Sequence, residues 1–202
     1  MYHSCIIRKI KKHLKSGGVI AYPTESCYGF GADVRNYKAI NKILRLKKRP
    51  NHKGLIIVAD NSWQLKNIIH KKYYTTSNSM HNNDIQTNNN KTRGMYAEFA
   101  QYWPGFYSLI LDANKNLLNN IKHSNKKVAV RLSAYDPTRL LCKELNTALI
   151  STSANLAKQR SIKDYRTCTK KFAKKVLIIK GNIGFAKKPS TIVDWDSKQI
   201  LR

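Results

Sequence analysis

The segment VIAYPTESCYGFG, residues 19–31, begins with a short apolar run and continues into a turn rich in hydroxyl groups. Val19 to Tyr22 is typical of a buried strand, and Pro23 ends that strand because proline has no amide hydrogen to give to a neighbouring strand. We expect Gly29 and Gly31 to let the chain turn tightly after the strand. The segment therefore predicts a strand that leads directly into a polar loop.

This loop carries the hydroxyl groups of Thr24, Ser26 and Tyr28. Hydroxyl groups in such a turn are equally consistent with a structural cap and with a binding loop. A dinucleotide-binding fingerprint would need a third glycine after Gly29 and Gly31, and none stands at that spacing. The sequence also contains no GxxxxGK[ST], which excludes a P-loop.

The rest of the chain alternates helical and strand patterns, which predicts an α/β fold with helices covering an open, twisted mixed sheet. Helices are expected at 5–15, 37–46, 63–69, 95–102, 137–145 and 162–171, and strands at 19–22, 54–59, 107–111, 128–132, 148–151, 176–179, 191–193 and 199–201. No linker divides the chain, so residues 1–202 are predicted to form one domain. The polar, asparagine-rich residues 73–93 lack periodicity and predict a surface-loop insertion.

Composition limits the classes of function. Hydrophobic residues make up 42% of the 202 residues, which is enough for a real core. No apolar run reaches the ~18 residues of a membrane span, so no membrane association is expected. The formal net charge of +27 favours a polyanionic partner. A general drift of the composition towards lysine, asparagine and isoleucine is the simpler explanation of the bulk charge, so the charge alone indicates at most a class of partner.

Cysteine and histidine patterns argue against a metal site. The four cysteines show no CxxC spacing, and the six histidines form no HExxH motif. With four scattered cysteines, a reducing compartment is the default, so a cytoplasmic location is expected.

Cations gather in the segment LKKRP, residues 46–50, at the end of a predicted helix. Cations stabilise a helix C-terminus through the macrodipole, so the run has a structural explanation. The functional alternative is that Lys47 and Arg49 grip phosphate groups, Arg49 as a fork and Lys47 as a point charge. Lys53 follows just before a buried strand.

A second polar segment, LISTSAN at residues 149–155, also follows an apolar run. In α/β sheets, ligands bind at the carboxyl ends of strands, but serine and asparagine are also ordinary helix caps. No GxSxG motif is present, so these side chains are predicted to be hydrogen-bonding groups and not nucleophiles. Arg131 in VAVRLS needs an anionic partner if it is buried, which a substrate carboxylate or an acidic side chain of the chain itself would supply.

Six segments follow one another between about residues 17 and 194: GGVIAYPTES-x-YGFG, LKKRPNHKGLIIVA, YWPG, VAVRLS, LISTSANLA and PSTIVD. Together they resemble the YrdC/TsaC family of threonylcarbamoyl-AMP synthases, in its short single-domain form. The resemblance implies an open twisted sheet with a concave basic surface. It also implies that L-threonine, bicarbonate and ATP give threonylcarbamoyladenylate and pyrophosphate, with Mg²⁺ carried by the ATP phosphates. Protein partners then move the threonylcarbamoyl group to the adenosine beside the anticodon of tRNAs that read ANN codons, and tRNA itself is a potential partner.

The resemblance also implies roles for single residues. Four residues fall at the catalytic nucleotide positions of the family: Lys47, Arg49, Ser153 and Asn155. Lys53 and Ser161 fall at further ATP contacts. The implied threonine contacts are Thr24, Ser26, Arg131, Ser151 and Ser190, with Arg131 pairing the substrate carboxylate.

The sequence departs from the family pattern at three of its positions. Ser26 stands where many members have threonine, and Val58 stands where longer members have a histidine that contacts threonine. Lys127 stands where a hydroxyl often faces ATP, so it is left out of the predicted site. A second functional class stays open, because a basic concave surface also suits a non-catalytic module that binds double-stranded RNA or tRNA.

Overall fold

Eight strands and four α-helices occur among residues 4–48, 54–74, 97–123, 125–156 and 159–202, which are the residues described by the computed structural model. Their bounds in chain order are α1 Ser4–Lys15, β1 Ile20–Pro23, β2 Tyr28–Asp33, α2 Tyr37–Lys47, β3 Ile56–Ala59, β4 Tyr107–Asp112, β5 Lys127–Leu132, α3 Asp136–Leu145, β6 Leu149–Ser153, α4 Tyr165–Phe172, β7 Leu177–Ile178 and β8 Thr191–Asp194.

The strands form one mixed sheet in the order β7-β1-β2-β6-β3-β5-β4-β8. The pairs β1–β7, β3–β5 and β4–β8 are parallel, and the other neighbouring pairs are antiparallel. Strand order therefore departs repeatedly from chain order, as an open sheet with crossover helices requires. This arrangement confirms the predicted α/β class.

Helices cover both faces of the sheet. Successive side chains of a strand point to opposite faces, so Ile20 and Tyr22 lie on one face while Val19 and Ala21 lie on the other. The first face packs against α1 and α3, and the second packs against α2 and α4. α1 contributes an apolar stripe at helical spacing to the first face: Ile7, Ile10 and Leu14.

β2 is the strand that the sequence prediction missed, because its two glycines were expected to form a tight turn. Both glycines lie inside an extended strand paired with β1. A Cβ atom at Gly31 would lie 2.8 Å from Cε1 of Tyr22, and one at Gly29 would lie 3.1 Å from Cγ2 of Thr24. Glycine is thus needed at both positions because side chains of residues 22 and 24 pack against the β2 backbone. The turn itself falls at residues 24–27.

α2 ends beside the carboxyl end of β6. Asn36 begins the helix, since its side chain accepts a hydrogen bond from the amide of Ala39. Lys48 ends it in the left-handed conformation, with a φ of 50°. Lys47 is therefore the last helical residue, and its side chain reaches towards β6.

The helix expected at residues 63–69 is wrong. A 3-10 helix occupies only Ser62–Leu65, and Ile69 then forms an isolated antiparallel bridge with Ala113. Pairing with a distant segment draws the chain out of helical geometry, although its apolar spacing suits a helix.

Other predicted boundaries shift because of local caps and bridges. The helix expected at 162–171 begins only at Tyr165, since the side chain of Asp164 caps it. The strand expected at 199–201 is reduced to a bridge between Ile200 and Val193.

The predicted insertion is largely outside the described residues, which stop at residue 74 and resume at residue 97. Of the helix expected at 95–102, the structure describes a 3-10 helix at Ala97–Gln101. The prediction of a single domain over residues 1–202 stays a prediction.

Candidate active site

A cavity of about 700 Å³ lies over one face of the central strands β3, β5 and β6. Its walls are the turn between β1 and β2, residues 160–163, and the segment at 187–190 that precedes β8. The sequence placed the site at the carboxyl ends of strands, whereas the structure places the cavity over the sheet face. Alternate residues of the three strands form its floor: Ile56, Val58, Ala129, Arg131, Ser151 and Ser153.

Most of the predicted site residues meet at this cavity. Lys47 and Asn155 lie at its edge, where both are hydrogen-bonded to Ser153. Arg49 and Lys53 lie outside the described residues. The predicted residues that line the cavity are Thr24, Ser26, Arg131, Ser151, Ser153, Ser161 and Ser190.

Lys47 joins the end of α2 to the end of β6. Its side-chain Nζ donates hydrogen bonds to Oδ1 of Asn155 at 2.8 Å and to the backbone carbonyls of Ser153 and Asn155. The hydroxyl of Ser153 in turn donates to Oδ1 of Asn155 at 2.7 Å. A buried ammonium group needs such acceptors, and Lys47 is only 5% exposed. These three residues, the lysine network, fix the position of the turn after β6.

Arg131 is paired with an acidic side chain of the chain itself. Its Nη2 donates to Oε2 of Glu25 at 2.9 Å, and the hydroxyl of Ser133 donates to Oε1 of the same carboxylate at 2.7 Å. The guanidinium group also lies over the ring of Phe106, 5.3 Å from its centroid. Arg131, Glu25 and Ser133 form the arginine network of the cavity floor and wall.

One donor of Arg131 remains open. Its Nε is buried and has no hydrogen-bond partner among the described residues. A buried donor without a partner is costly, so a side-chain movement that brought Nε to a ligand oxygen would be favoured.

Tyr22 orients the side chain of Ser151, because its hydroxyl donates to Oγ of Ser151 at 2.9 Å. Burial raises the pKa of Tyr22 well above its ordinary value of 10.0, so this hydroxyl stays protonated and remains a donor. The lone pairs of Ser151 are thereby partly engaged, and its own hydrogen is directed elsewhere.

The hydroxyl of Thr24 has a structural partner. It donates to the backbone carbonyl of Cys27 at 2.7 Å, and the amide of Thr24 bonds to the same carbonyl. Thr24 therefore stabilises the turn, and both Thr24 and Ser26 line the cavity.

Ser190 lies between two polar neighbours. Its Oγ is 3.0 Å from Oγ of Ser108, and the guanidinium group of Arg202 donates to its backbone carbonyl at 3.1 Å and 3.2 Å. Arg202 also lines the cavity and was not predicted. Pairing between residues 192 and 202 brings it there, and no local motif in the sequence signals that pairing.

The cavity is strongly basic. Glu25 is the only acidic residue among the described residues that line it. Cations on its walls are Arg160, Lys163, Lys187, Lys188 and Arg202. Clustered charge of one sign in a cleft concentrates oppositely charged ligands, so the cavity suits a phosphate-bearing molecule. Glu25 was missed by the sequence prediction, although it stands between Thr24 and Ser26 in the predicted loop.

Lys127, which was left out of the predicted site, has a structural role. It pairs with Asp194 at 3.0 Å and with Asp196 at 2.8 Å. Burial opposes ionisation of Asp194, but the hydrogen bond and charge of Lys127 together with hydrogen bonds from the amides of Ser197 and Asp196 outweigh it, so the pKa of Asp194 lies below its ordinary value. This ion pair joins β5 to the end of β8.

Within the described parts of the chain, no group of three or more histidine, cysteine, aspartate or glutamate residues is arranged to hold a metal ion. The same residues include no helix that is long and apolar enough to span a membrane. The four cysteines, Cys5, Cys27, Cys142 and Cys168, form no disulfide.

Comparison with known proteins assigns the family. The model of the Sua5, YciO and YrdC family, described as "Telomere recombination", matches residues 12–202. The chain belongs to the Sua5/YciO/YrdC family. This match confirms the resemblance inferred from the six sequence segments.

Curated members of this family include similar proteins of nearly the same length. The threonylcarbamoyl-AMP synthase of Chromobacterium violaceum is 40% identical over 195 residues, which cover 96% of this chain and 91% of that protein. The threonylcarbamoyl-AMP synthase of Laribacter hongkongensis is 33% identical over 195 residues, covering 96% and 95% respectively.

Solved structures of the Sua5/YciO/YrdC family share the fold. P. abyssi Sua5 complexed with L-threonine matches with a TM-score of 0.81 and 23% identity, covering all of this chain and 55% of that one. E. coli YciO matches with a TM-score of 0.76 and 21% identity, covering all of this chain and 90% of that one. The chain thus spans just over half the length of the P. abyssi protein, and these likenesses bear on the fold alone.

Proposed function

We propose that this protein is a threonylcarbamoyl-AMP synthase, a nucleotidyltransferase that converts L-threonine, bicarbonate and ATP into threonylcarbamoyladenylate and pyrophosphate. The observation that carries the proposal is the meeting of the lysine network and the arginine network at one basic cavity. The named relatives, which share 33–40% identity over nearly the whole chain, support it.

The lysine network forms the nucleotide side of the site. Lys47 holds Ser153 and Asn155 in place. Ser153 donates its hydrogen to Asn155, and one amide hydrogen of Asn155 goes to the backbone carbonyl of Gln159, so the second amide hydrogen of Asn155 is assigned to ATP. Cations on the walls attract the triphosphate, as expected for a ligand of high negative charge. The residues assigned to catalysis are Lys47, Arg49, Ser153 and Asn155, and the further residues assigned to ATP binding are Lys53 and Ser161.

Mg²⁺ enters with ATP, bound mainly to its phosphate oxygens. Mg²⁺ is commonly held by substrate phosphates together with one or two carboxylates and water. The cavity carries a single carboxylate among its described lining residues, which supports delivery by the nucleotide over a resident protein site.

Threonine binds over the strand floor beside the nucleotide. Arg131 faces the substrate carboxylate, and hydroxyl groups surround the rest of the amino acid. The residues assigned to this side are Thr24, Ser26, Arg131, Ser151 and Ser190. The orientation of Ser151 by Tyr22 supports a fixed, pre-organised pocket.

The reaction proceeds by positioning and charge. The uncharged amine of threonine condenses with bicarbonate, a carbon–nitrogen bond forms and water leaves, which gives threonine carbamate. The carbamate then attacks the α-phosphorus of ATP, a new phosphorus–oxygen bond forms, and pyrophosphate leaves with the electron pair of the broken bond. Such an in-line transfer needs aligned reactants and cations around the phosphate oxygens, and it needs no protein nucleophile. The serine-rich segment 149–155 serves as hydrogen-bonding surface in this scheme.

The reaction is the first step of threonylcarbamoyladenosine formation in tRNAs that read ANN codons. We place this step in the cytoplasm, together with partner proteins that transfer the threonylcarbamoyl group to tRNA. Four cysteines without a disulfide support a reducing compartment.

Pyrophosphate release from ATP tests the proposal. Release that requires both threonine and bicarbonate is the expected result, and equal release without threonine would contradict it. The alternative is a non-catalytic module that binds double-stranded RNA or tRNA, to which basic cavity walls are equally suited. Steeply salt-dependent RNA binding that survives loss of Lys47 or Arg49, without pyrophosphate release, would favour that alternative.

A further inference from the structure

A single carboxylate stands in an otherwise basic cavity. Glu25 lines the wall beside Arg131, and the other charged residues described on the walls are cations. An ammonium group that enters this cavity is repelled by the cations and attracted by one side chain, Glu25. The cavity therefore has a defined position for a positive charge.

Glu25 is held rigidly at this position. Arg131 and Ser133 donate to its two carboxylate oxygens, one to each. Its backbone carbonyl accepts a hydrogen bond from the amide of Ala186 at 3.1 Å, which ties the turn to the segment before β8. A carboxylate oxygen accepts about two hydrogen bonds, so each oxygen of Glu25 can accept one more.

Arg131 and Glu25 together match the two charges of an amino acid. In an α-amino acid, one carbon separates the ammonium and carboxylate groups, so their partners must be neighbours. The guanidinium of Arg131 and the carboxylate of Glu25 are in direct contact, and Nε of Arg131 is a buried donor without a described partner. The pair thus offers a donor for the carboxylate beside an acceptor for the ammonium.

We propose that Glu25 is a specificity residue that binds the α-ammonium group of the amino-acid substrate, while Arg131 binds its carboxylate. This inference rests on the proposed threonine-dependent function and adds a residue to it. It explains why a site for anionic ligands contains a carboxylate on its wall.

Binding of threonine and of its α-hydroxy analogue, which carries a hydroxyl in place of the ammonium, tests the inference by isothermal titration calorimetry. Wild-type protein is expected to bind threonine more tightly by on the order of 10- to 100-fold, the range of a charge-assisted hydrogen bond. In Glu25→Gln, threonine affinity falls and the ratio of the two affinities approaches one. Glu25→Asp restores part of the preference, because it retains the carboxylate.

Glu144→Gln is the matched control, since Glu144 is exposed on α3 and is not among the cavity residues. It is expected to keep the wild-type ratio. Equal weakening of both ligands in Glu25→Gln would overturn the inference, because Glu25 would then only position Arg131. Equal binding of both ligands by wild-type protein would overturn it without any variant. If wild-type protein binds neither ligand and releases no threonine-dependent pyrophosphate, the proposed function fails as well.

Discussion

The lysine network and the arginine network both stabilise a buried cation, but with acceptors of different charge. Each holds a buried cation, but the hydrogen bonds of Lys47 to Ser153 and Asn155 go to uncharged oxygens, whereas Arg131 donates to the carboxylate of Glu25. The acceptors named here for Lys47 belong to Ser153, the last residue of β6, and to Asn155 just beyond it. The acceptor of Arg131 is Glu25, in the turn between β1 and β2, and Ser133 donates to the same carboxylate.

This difference separates the two sides of the cavity. The lysine network fixes the backbone where a polyanion is proposed to bind. Its acceptors from Ser153 and Asn155 are uncharged, so they do not repel that polyanion. A cation paired with a carboxylate offers both signs of charge, which suits a zwitterion. The comparison predicts that the two networks differ in their contribution to stability and in the substrate that they serve.

Arg131→Met is expected to have the largest effect. It leaves the largely buried carboxylate of Glu25 without its cation, which costs about 3 kcal/mol in the free energy of unfolding. Threonine-dependent pyrophosphate release should also be lost. Urea denaturation and the pyrophosphate assay measure the two effects.

The exposed pair of Lys72 and Asp112 provides the control. Their side chains are 46% and 37% exposed, so Lys72→Met should change stability by less than about 1 kcal/mol. Equal destabilisation by the two substitutions would show that the arginine network is not a buried charge pair in energetic terms.

Lys47→Met is expected to have the second largest effect. Removing the ammonium group leaves oxygens of Ser153 and Asn155 without a shared donor, at a cost of about 2 kcal/mol. Because the turn after β6 loses its fixed position, ATP affinity should fall more than threonine affinity. Lys38→Met, at an exposed position of the same helix, should leave both affinities unchanged. A greater loss of threonine affinity would reverse the proposed assignment of the two sides.

Tyr22→Phe is expected to have the smallest effect. Loss of the hydrogen bond to Ser151 costs about 1 kcal/mol, which corresponds to an approximately fivefold rise in the KM for threonine. The KM for ATP should stay unchanged. Tyr74→Phe removes a comparable hydrogen bond, to the carbonyl of Ser62, and should leave both KM values as they are. A rise in the KM for ATP alone would argue against the proposed role of Ser151.

The sequence predicted most of the helices and strands because their apolar spacing matches the face that each one buries. It failed at Gly29 and Gly31, where two glycines suggested a turn. Glycine is needed there by the side chains of Tyr22 and Thr24, and such packing is a property of the paired strands. The helix expected at 63–69 failed for a similar reason, since pairing with Ala113 overrides local preference.

The candidate site was predictable where the family resemblance grouped residues from separate segments. Lys47 lies 106 residues from Ser153 and 108 from Asn155, the resemblance placed the three together, and the structure joins them. The partner of Arg131 was not predictable, because the resemblance assigned no role to Glu25 and any of 11 acidic residues would have satisfied the charge. Long-range pairing of this kind follows from topology, which the spacing of residues does not encode.

The most direct test of the two-sided cavity compares Ser151→Ala with Ser153→Ala. The two serines stand two residues apart on β6, both line the cavity, and each substitution removes one hydroxyl group. Titration calorimetry of each variant with threonine and with ATP measures both affinities. The account predicts that Ser151→Ala weakens threonine binding by at least about threefold and leaves ATP binding unchanged, whereas Ser153→Ala does the opposite. Equal weakening of both ligands by both variants, or the reversed pattern, would contradict it.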